Sequence, residues 1–202
     1  APEAPFLEHD PTLLVDLVFL QQMYDAGAKQ WFDVMGVNAY GLRSGPDDRR
    51  LGEASDVNFS RPILVRELMV RNGDAGKAMW ASEMGWNALP PDFPGEAPWG
   101  RVTRDQQARY TVRAYQRMQE EWPWLGVGAL WHFRMVHDVN RDTPQYYFGI
   151  VQNDFTPYPA FHLRLECAHR EFLSSRPLAS VATSVIRSGP PRAPSATSSG
   201  NR

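Results

Sequence analysis

Apolar side chains along the first 173 residues recur alternately at helical and at strand spacing. The first helix face is formed by residues four, three and four positions apart, namely Leu13, Leu17, Leu20 and Tyr24. A short apolar run at residues 32–38 follows, and a run of that length is typical of a buried strand. The pattern therefore begins with a helix and continues with a strand.

Two further helix–strand pairs follow along the chain. A second helix is predicted from Ser60 to Gly73, with Pro62 suited to its first turn, and a strand at residues 77–83 comes after it. A third helix is predicted to begin at Thr103, where Gln106 completes a capping-box pattern. The strand predicted at residues 126–133 ends this third pair.

Beyond the third strand, the sequence predicts a short extended piece at residues 148–151 and a turn at Asn153 and Asp154. A last helix face is formed by Phe161, Leu165, Ala168 and Phe172. Apolar strands that alternate with amphipathic helices predict an α/β fold with a parallel sheet. Right-handed connections would place the carboxyl ends of the strands at one edge of that sheet.

Composition divides the chain into a folded domain, residues 1–173, and a tail, residues 174–202. The tail has eight Ser, four Pro and four Arg but no acidic or aromatic residue, so we predict that it is disordered. The whole chain has a formal net charge of −2, which gives no basic excess for binding nucleic acid. No apolar run approaches the roughly 18 residues of a membrane span, so no membrane insertion is expected. Cys167 is the only cysteine, which excludes an internal disulfide.

Polar and aromatic side chains follow the apolar part of each predicted strand. Asn38 and Tyr40 end the first, Glu83 ends the second, and Trp131 lies in the third beside His132. Ligands bind at the carboxyl ends of strands in parallel α/β folds. A carboxylate such as Glu83 at a buried strand end serves either chemistry or a structural ion pair, and the spacing alone leaves both open.

Three segments resemble the clan-A retaining glycoside hydrolases, the (β/α)8 enzymes that include cellulases and β-xylosidases. Residues 80–86, Trp-Ala-Ser-Glu-Met-Gly-Trp, resemble the motif at the seventh strand of that barrel. Residues 32–40 resemble the sixth strand, and residues 128–131 resemble the eighth. Residues 148–151 and 157–161 are similar to the end of the family's barrel. The resemblance implies the C-terminal part, about strands 6 to 8, of a TIM (β/α)8 barrel, with families 5 and 39 the most similar.

The resemblance also implies roles for the residues at the strand ends. Glu83 falls on the catalytic nucleophile, Tyr40 would hydrogen-bond it, and Trp131 would form the floor of the sugar subsite. Asn38 would hold a sugar hydroxyl, and Trp86, which ends the motif, is expected to contact substrate. Trp99 lies in the loop after the second strand, where it serves as a sugar platform or as a loop anchor.

The implied function is that of a retaining O-glycosidase that cleaves a β-linked polysaccharide or oligosaccharide without a cofactor. His132, His137 and Asp138 have no compact metal-ligand spacing, so no metal is expected. The family's acid/base is a Glu after an Asn on strand 4, and no Asn-Glu pair occurs in this sequence. We therefore expect the N-terminal part of the barrel to be missing and the chain alone to be inactive.

Two alternatives remain open at the level of sequence. The chain is a non-catalytic carbohydrate-binding or scaffold protein derived from such a barrel, or it is a TIM barrel of another chemistry in which Glu83 is a base or pairing partner. An extracellular or cell-surface location is expected from polysaccharide-degrading relatives.

Overall fold

The computed structural model describes residues 16–51, 57–135 and 141–162, which form an α/β arrangement. The strands are β1 (Val34–Tyr40), β2 (Ala78–Gly85) and β3 (Leu125–Leu130). The α-helices are α1 (Asp16–Asp25), α2 (Pro62–Arg71) and α3 (Arg104–Glu121). Two short 3-10 helices are Ala28–Trp31 and Pro144–Phe148. Within these residues, no helix has the length and apolar character to cross a membrane.

The predicted order of helices and strands is confirmed, and the corrections concern where elements begin and end. β1 begins and ends two residues later than predicted. β3 ends at Leu130, so Trp131 and His132 follow the strand and do not lie in it. Residues 144–148 form a 3-10 helix, so the extended piece predicted at 148–151 reduces to a single bridge between Val151 and Pro157. The predicted last helix beyond His162, the boundary at residue 173 and the tail lie outside the described residues.

The three strands are parallel in the order β1-β2-β3, as the alternating pattern predicted. One face of this sheet is covered by helices: Met79 of β2 is fully buried with Leu20 of α1 and Leu68 of α2. The opposite face carries Trp80 and Val127, which are 49% and 42% exposed. We call this second surface the open face. Because the strands are parallel, their carboxyl ends lie at one edge of the sheet.

A β-bulge in β2 changes which face the end of that strand presents. Val37 of β1 is paired with Ala81, but the next residue, Asn38, is paired with Glu83, so Ser82 is the extra residue. Strict alternation from Ala81, which is buried against the helices, would turn Glu83 toward the helices as well. The bulge instead places Glu83 opposite Asn38, on the open face.

The helix after β2 is held to the end of that strand. The capping box predicted at Thr103 is present: its Oγ1 accepts from the Gln106 amide at 3.1 Å, and its own amide donates to Gln106 Oε1 at 2.8 Å. Gln107, fully buried in the next position, donates from Nε2 to the Trp86 carbonyl at 2.9 Å. The start of α3 is therefore fixed against the segment that leaves β2.

A buried arginine on α3 holds the loop that follows β1. The side chain of Arg117 is 0% exposed; its Nη1 donates to Ser60 Oγ at 2.8 Å and to the Pro46 carbonyl. Its Nε donates to Glu121 Oε2 at 2.9 Å, and Glu121 also accepts from Arg49. These hydrogen bonds from Arg49 and Arg117 lower the pKa of Glu121 to about 2.

Candidate active site

The carboxylate of Glu83 meets the hydroxyl of Tyr40 at the carboxyl edge of the sheet. Tyr40 donates from its hydroxyl to Glu83 Oε2 at 2.8 Å. Burial is the main cause that raises the pKa of Tyr40, and this hydrogen bond to a carboxylate raises it further. Among the described residues, no lysine or arginine lies within ion-pair distance of Glu83. The ion pair that the sequence left open is thus not seen in this part of the chain.

The ring of Tyr40 belongs to a group of four aromatic rings, and Phe148 contacts the other three. The centroid of its ring lies 5.5 Å from that of Tyr40, 5.3 Å from Trp131 and 6.0 Å from Trp99, each in edge-to-face geometry. Phe148 is itself buried, whereas Trp99 and Trp131 are half-buried. We call these four residues the aromatic cluster. Its partly exposed indoles offer flat apolar surfaces next to a carboxylate.

The backbone around Trp131 is locked to the end of β2. The Trp131 amide donates to the Met84 carbonyl at 2.8 Å. A Cβ atom on Gly85 would lie 2.7 Å from the Trp131 carbonyl oxygen, so only glycine fits there. The position of Trp131 is therefore set by the same strand that carries Glu83.

His132 supports this segment and does not take part in a metal site among the described residues. Its peptide bond with Trp131 is cis, its ring contacts the Trp131 ring at 4.8 Å, and its Nε2 is 3.1 Å from the Gln145 carbonyl. Burial lowers the pKa of His132, which favours the neutral imidazole. The described residues contain no group of three potential metal ligands, and His137 and Asp138 lie outside them.

Asn38 lies beside Glu83 in the sheet and is exposed on the open face. Its Oδ1 accepts a hydrogen bond from Ser82 Oγ at 3.1 Å, and the same hydroxyl contacts the Val37 carbonyl at 3.2 Å. The extra residue of the bulge therefore fixes the orientation of the Asn38 amide. Asn38, Tyr40, Glu83, Trp99 and Trp131 all belong to this edge of the sheet or to its aromatic cluster.

Trp86 is different, and the expectation that it contacts substrate is corrected. Its ring is 1% exposed and packs against Phe59 and Tyr110 in the core. A Cβ on Gly41 would overlap this ring, and Trp86 Nε1 donates to the Ser44 carbonyl at 2.7 Å. Trp86 therefore packs beneath the loop that follows β1 and holds it through Gly41 and Ser44. Its buried ring has no exposed surface for a sugar.

Phe148 is the residue of the site that the sequence did not single out. It lies at the end of the 3-10 helix Pro144–Phe148, far along the chain from Tyr40 and Trp99. Residues 148–151 were predicted as a short extended piece, and neither that prediction nor the aromatic run Tyr146-Tyr147-Phe148 assigned Phe148 to the site. Phe148 reaches this position because the chain returns to the sheet after β3. The spacing of neighbouring residues does not predict that return.

The chain is similar over part of its length to solved structures of glycoside hydrolases. A family 39 glycoside hydrolase from the gut symbiont Bacteroides cellulosilyticus WH2 is 20% identical, with a TM-score of 0.53 over 71% of this chain and 28% of that chain. A β-glucuronidase of Faecalibacterium prausnitzii is 19% identical, with a TM-score of 0.45 over 70% of this chain and 22% of its own. That of Bifidobacterium dentium is 22% identical, with a TM-score of 0.42 over 68% of this chain and 21% of its own. No protein-family model and no curated protein matches the sequence.

The likeness to the family 39 enzyme is a likeness of fold at low sequence identity. The chain shares its α/β arrangement with part of a glycoside hydrolase and spans 28% of that protein's length. This likeness concerns the fold of one part of that enzyme and does not extend to its activity.

Proposed function

We propose that the chain is the C-terminal part of a (β/α)8 retaining O-glycosidase in which Glu83 is the nucleophile. The observation that carries this proposal is the 2.8 Å hydrogen bond between Tyr40 and Glu83 at the carboxyl edge of the sheet, inside the aromatic cluster. A hydroxyl that donates to a carboxylate orients one oxygen and leaves the other free to react. The shared fold with part of a family 39 glycoside hydrolase supports the same class of protein.

The proposed reaction has two steps. Glu83 forms a bond from one oxygen to the anomeric carbon while the bond to the leaving oxygen breaks, and that oxygen takes a proton from a second carboxyl group. Water then attacks the anomeric carbon, gives its proton to that second group and releases Glu83. Trp131 would contact the C–H face of the sugar, and Asn38 would hydrogen-bond a hydroxyl. The substrate class is a β-linked polysaccharide or oligosaccharide.

The second carboxyl group would come from a part of the barrel outside these 202 residues. Parallel sheets are normally covered on both faces, yet the open face exposes Val34, Trp80 and Val127. Five further strands would close the barrel around this face, with their helices on the outside. The chain's 28% coverage of the family 39 structure fits the same division.

The proposal is tested with aryl β-glycosides on two proteins: the 202-residue chain, and a longer one that adds about 200 upstream residues, the size of the missing barrel part. We expect turnover from the longer protein only, because general acid–base help alone contributes roughly 10²–10⁴-fold. Glu83→Gln should abolish that turnover. Glu67→Gln is the matched control, since Glu67 is exposed on α2 and away from the sheet edge.

Rescue chemistry separates a nucleophile from a base or a pairing partner. If Glu83 is the nucleophile, Glu83→Gly in the longer protein should regain turnover when azide is added, with a glycosyl azide of inverted anomeric configuration as product. Turnover by the 202-residue chain itself would contradict the assignment of the second carboxyl to another part of the barrel. Turnover that survives Glu83→Gln would contradict the role of Glu83.

A second candidate function is carbohydrate binding without catalysis, favoured by the lack of an Asn-Glu pair in the sequence. Calorimetric titration with β-linked oligosaccharides distinguishes the two. Binding that needs Trp131, without turnover in either protein, would support the binding function. For both candidates we propose an extracellular or cell-surface location, where such carbohydrates occur.

A further inference from the structure

A cavity of about 740 Å³ lies between the loop after β2 and the chain after β3. Its described lining does not include Glu83, Tyr40 or Trp131. One wall is apolar, with Leu89, Pro90 and Pro91, and the volume is in the range of small-molecule sites. The cavity is therefore large enough for a ligand that is separate from the sugar contacts proposed for the Glu83 site.

The other wall of the cavity is built around Arg104. Its guanidinium lies 3.7 Å over the ring of Tyr158, and its Nη1 donates to the Gly149 carbonyl at 2.8 Å and to Gln107 Oε1 at 2.9 Å. A third bond from Nη1 reaches the Tyr147 carbonyl at 3.2 Å. These contacts fix the guanidinium in place, as a preorganised binding group requires.

The contacts of Arg104 are all to neutral groups. Among the described residues, no carboxylate lies within ion-pair distance of it, and burial lowers its pKa. Arg104 is half-buried, and a charge partly withdrawn from water is stabilised by a partner of opposite charge. A ligand of negative charge would supply such a partner.

The cavity has an excess of positive charge, which also favours a ligand of negative charge. Arg101 and Arg141 also line it, against Asp92 as the one carboxylate among the described lining residues. Both are anchored by neutral acceptors: Arg101 donates to the Pro91 carbonyl at 2.6 Å and Arg141 to Gln152 Oε1 at 3.3 Å. Three guanidinium groups around one cavity are suited to carboxylate or phosphate oxygens, which arginine binds in a fork.

We infer that this cavity binds a small ligand with an oxyanion, held by Arg101, Arg104 and Arg141, whose apolar body packs on Pro90 and Pro91. The inference is independent of glycosidase activity, because it uses none of the residues placed at the Glu83 site. The ligands that this cavity suits have an oxyanion attached to a flat apolar body. Carboxylate and sulfonate forms of such a ligand are distinguished by experiment.

The experiment titrates the 202-residue chain with benzoate, benzenesulfonate and the uncharged benzamide, followed by calorimetry and by ligand-observed NMR. We expect benzoate or benzenesulfonate to bind at least about tenfold more tightly than benzamide, since hydrogen bonds to charged groups contribute this much or more. Binding should weaken as ionic strength rises.

Arginine variants locate the binding. Arg104→Gln should weaken benzoate binding about tenfold or more, and Arg141→Gln, at an exposed side chain with less effect on folding, should also weaken it. Arg109→Gln is the matched control, because Arg109 is exposed on α3 and does not line the cavity. Equal affinity for benzoate and benzamide, or affinity unchanged in Arg141→Gln, would overturn the inference.

Discussion

At the scale of single residues, two tyrosines donate to carboxylates. Tyr24 donates to Asp74 Oδ2 at 2.9 Å in the helix layer, and Tyr40 donates to Glu83 in the proposed active site. Burial, followed by these hydrogen bonds, raises the pKa of both phenols above the usual value near 10. A tyrosine hydroxyl bonded to a carboxylate thus stabilises helix packing at Tyr24 and Asp74. At Tyr40 and Glu83 the same kind of bond orients the proposed nucleophile.

The raised pKa values predict a loss of stability in alkali. A tyrosine whose pKa is higher in the folded than in the unfolded state stabilises the fold fully below pH 10, and this contribution is lost as the pH rises above 10. Each phenol should lower the free energy of unfolding by up to about 1.4 kcal/mol per pH unit there. Urea unfolding between pH 8 and 11 measures this slope, and Tyr24→Phe and Tyr40→Phe should each make it shallower. An unchanged slope in both variants would contradict the prediction.

Gly85 predicts a sharp steric requirement at the end of β2. A Cβ at this position would lie 2.7 Å from the Trp131 carbonyl oxygen, which belongs to backbone and cannot turn away. Gly85→Ala should therefore destabilise the chain by roughly 1–3 kcal/mol and displace Trp131, seen as a change in tryptophan fluorescence. Gly126→Ala is the control, since its Cβ would approach no atom more closely than Trp80 Nε1 at 3.4 Å. Equal effects in the two variants would show that the close approach is not decisive.

At the scale of elements, the sequence predicted what depends on local spacing. The apolar residues Met79 and Ala81 predicted β2 as a buried strand. Thr103 and Gln106 predicted the start of α3, because a capping box is formed by residues three positions apart. The bulge at Ser82 was not predicted, since the register shift depends on pairing with β1. The core role of Trp86 was missed for a similar reason: its partners Phe59 and Tyr110 come from distant segments.

The capping box makes a testable contribution to α3. Thr103→Ala removes the oxygen that accepts from the Gln106 amide, so we expect a loss of about 1 kcal/mol in the free energy of unfolding. Thr103→Ser keeps the hydroxyl and should remain close to the parent protein. Chemical denaturation with circular dichroism measures both variants, and a loss of the same size in Thr103→Ser would assign the effect to the methyl group.

At the scale of the whole molecule, the sheet has helices on one face only among the described residues. The covered face carries fully buried Met79, while the open face carries the half-exposed ring of Trp80. An apolar parallel sheet with a bare face is a surface that other protein segments cover. In the proposed barrel, those segments are the upstream strands.

The open face therefore predicts concentration-dependent association of the 202-residue chain. Trp80→Lys or Val127→Lys should reduce this association, measured by sedimentation velocity, because a charge on the face opposes its burial. The control is Trp31→Lys: Trp31 is 81% exposed but lies in a 3-10 helix outside the sheet. In the longer protein, Trp80→Lys should instead abolish activity by preventing closure of the barrel. Association that responds equally to Trp31→Lys would contradict the assignment of the surface.

The bulge at Ser82 determines where β2 tolerates a change in length. Removal of Ser82 would leave Ala81 opposite Val37 and Glu83 opposite Asn38, so the strand would lose one residue while both faces keep their side chains. Removal of Met84 would instead bring Gly85 opposite Ala39 and leave the buried site of Met84 empty. We therefore expect β2 to tolerate deletion of Ser82, directly before the proposed nucleophile Glu83, and not deletion of Met84, directly after it.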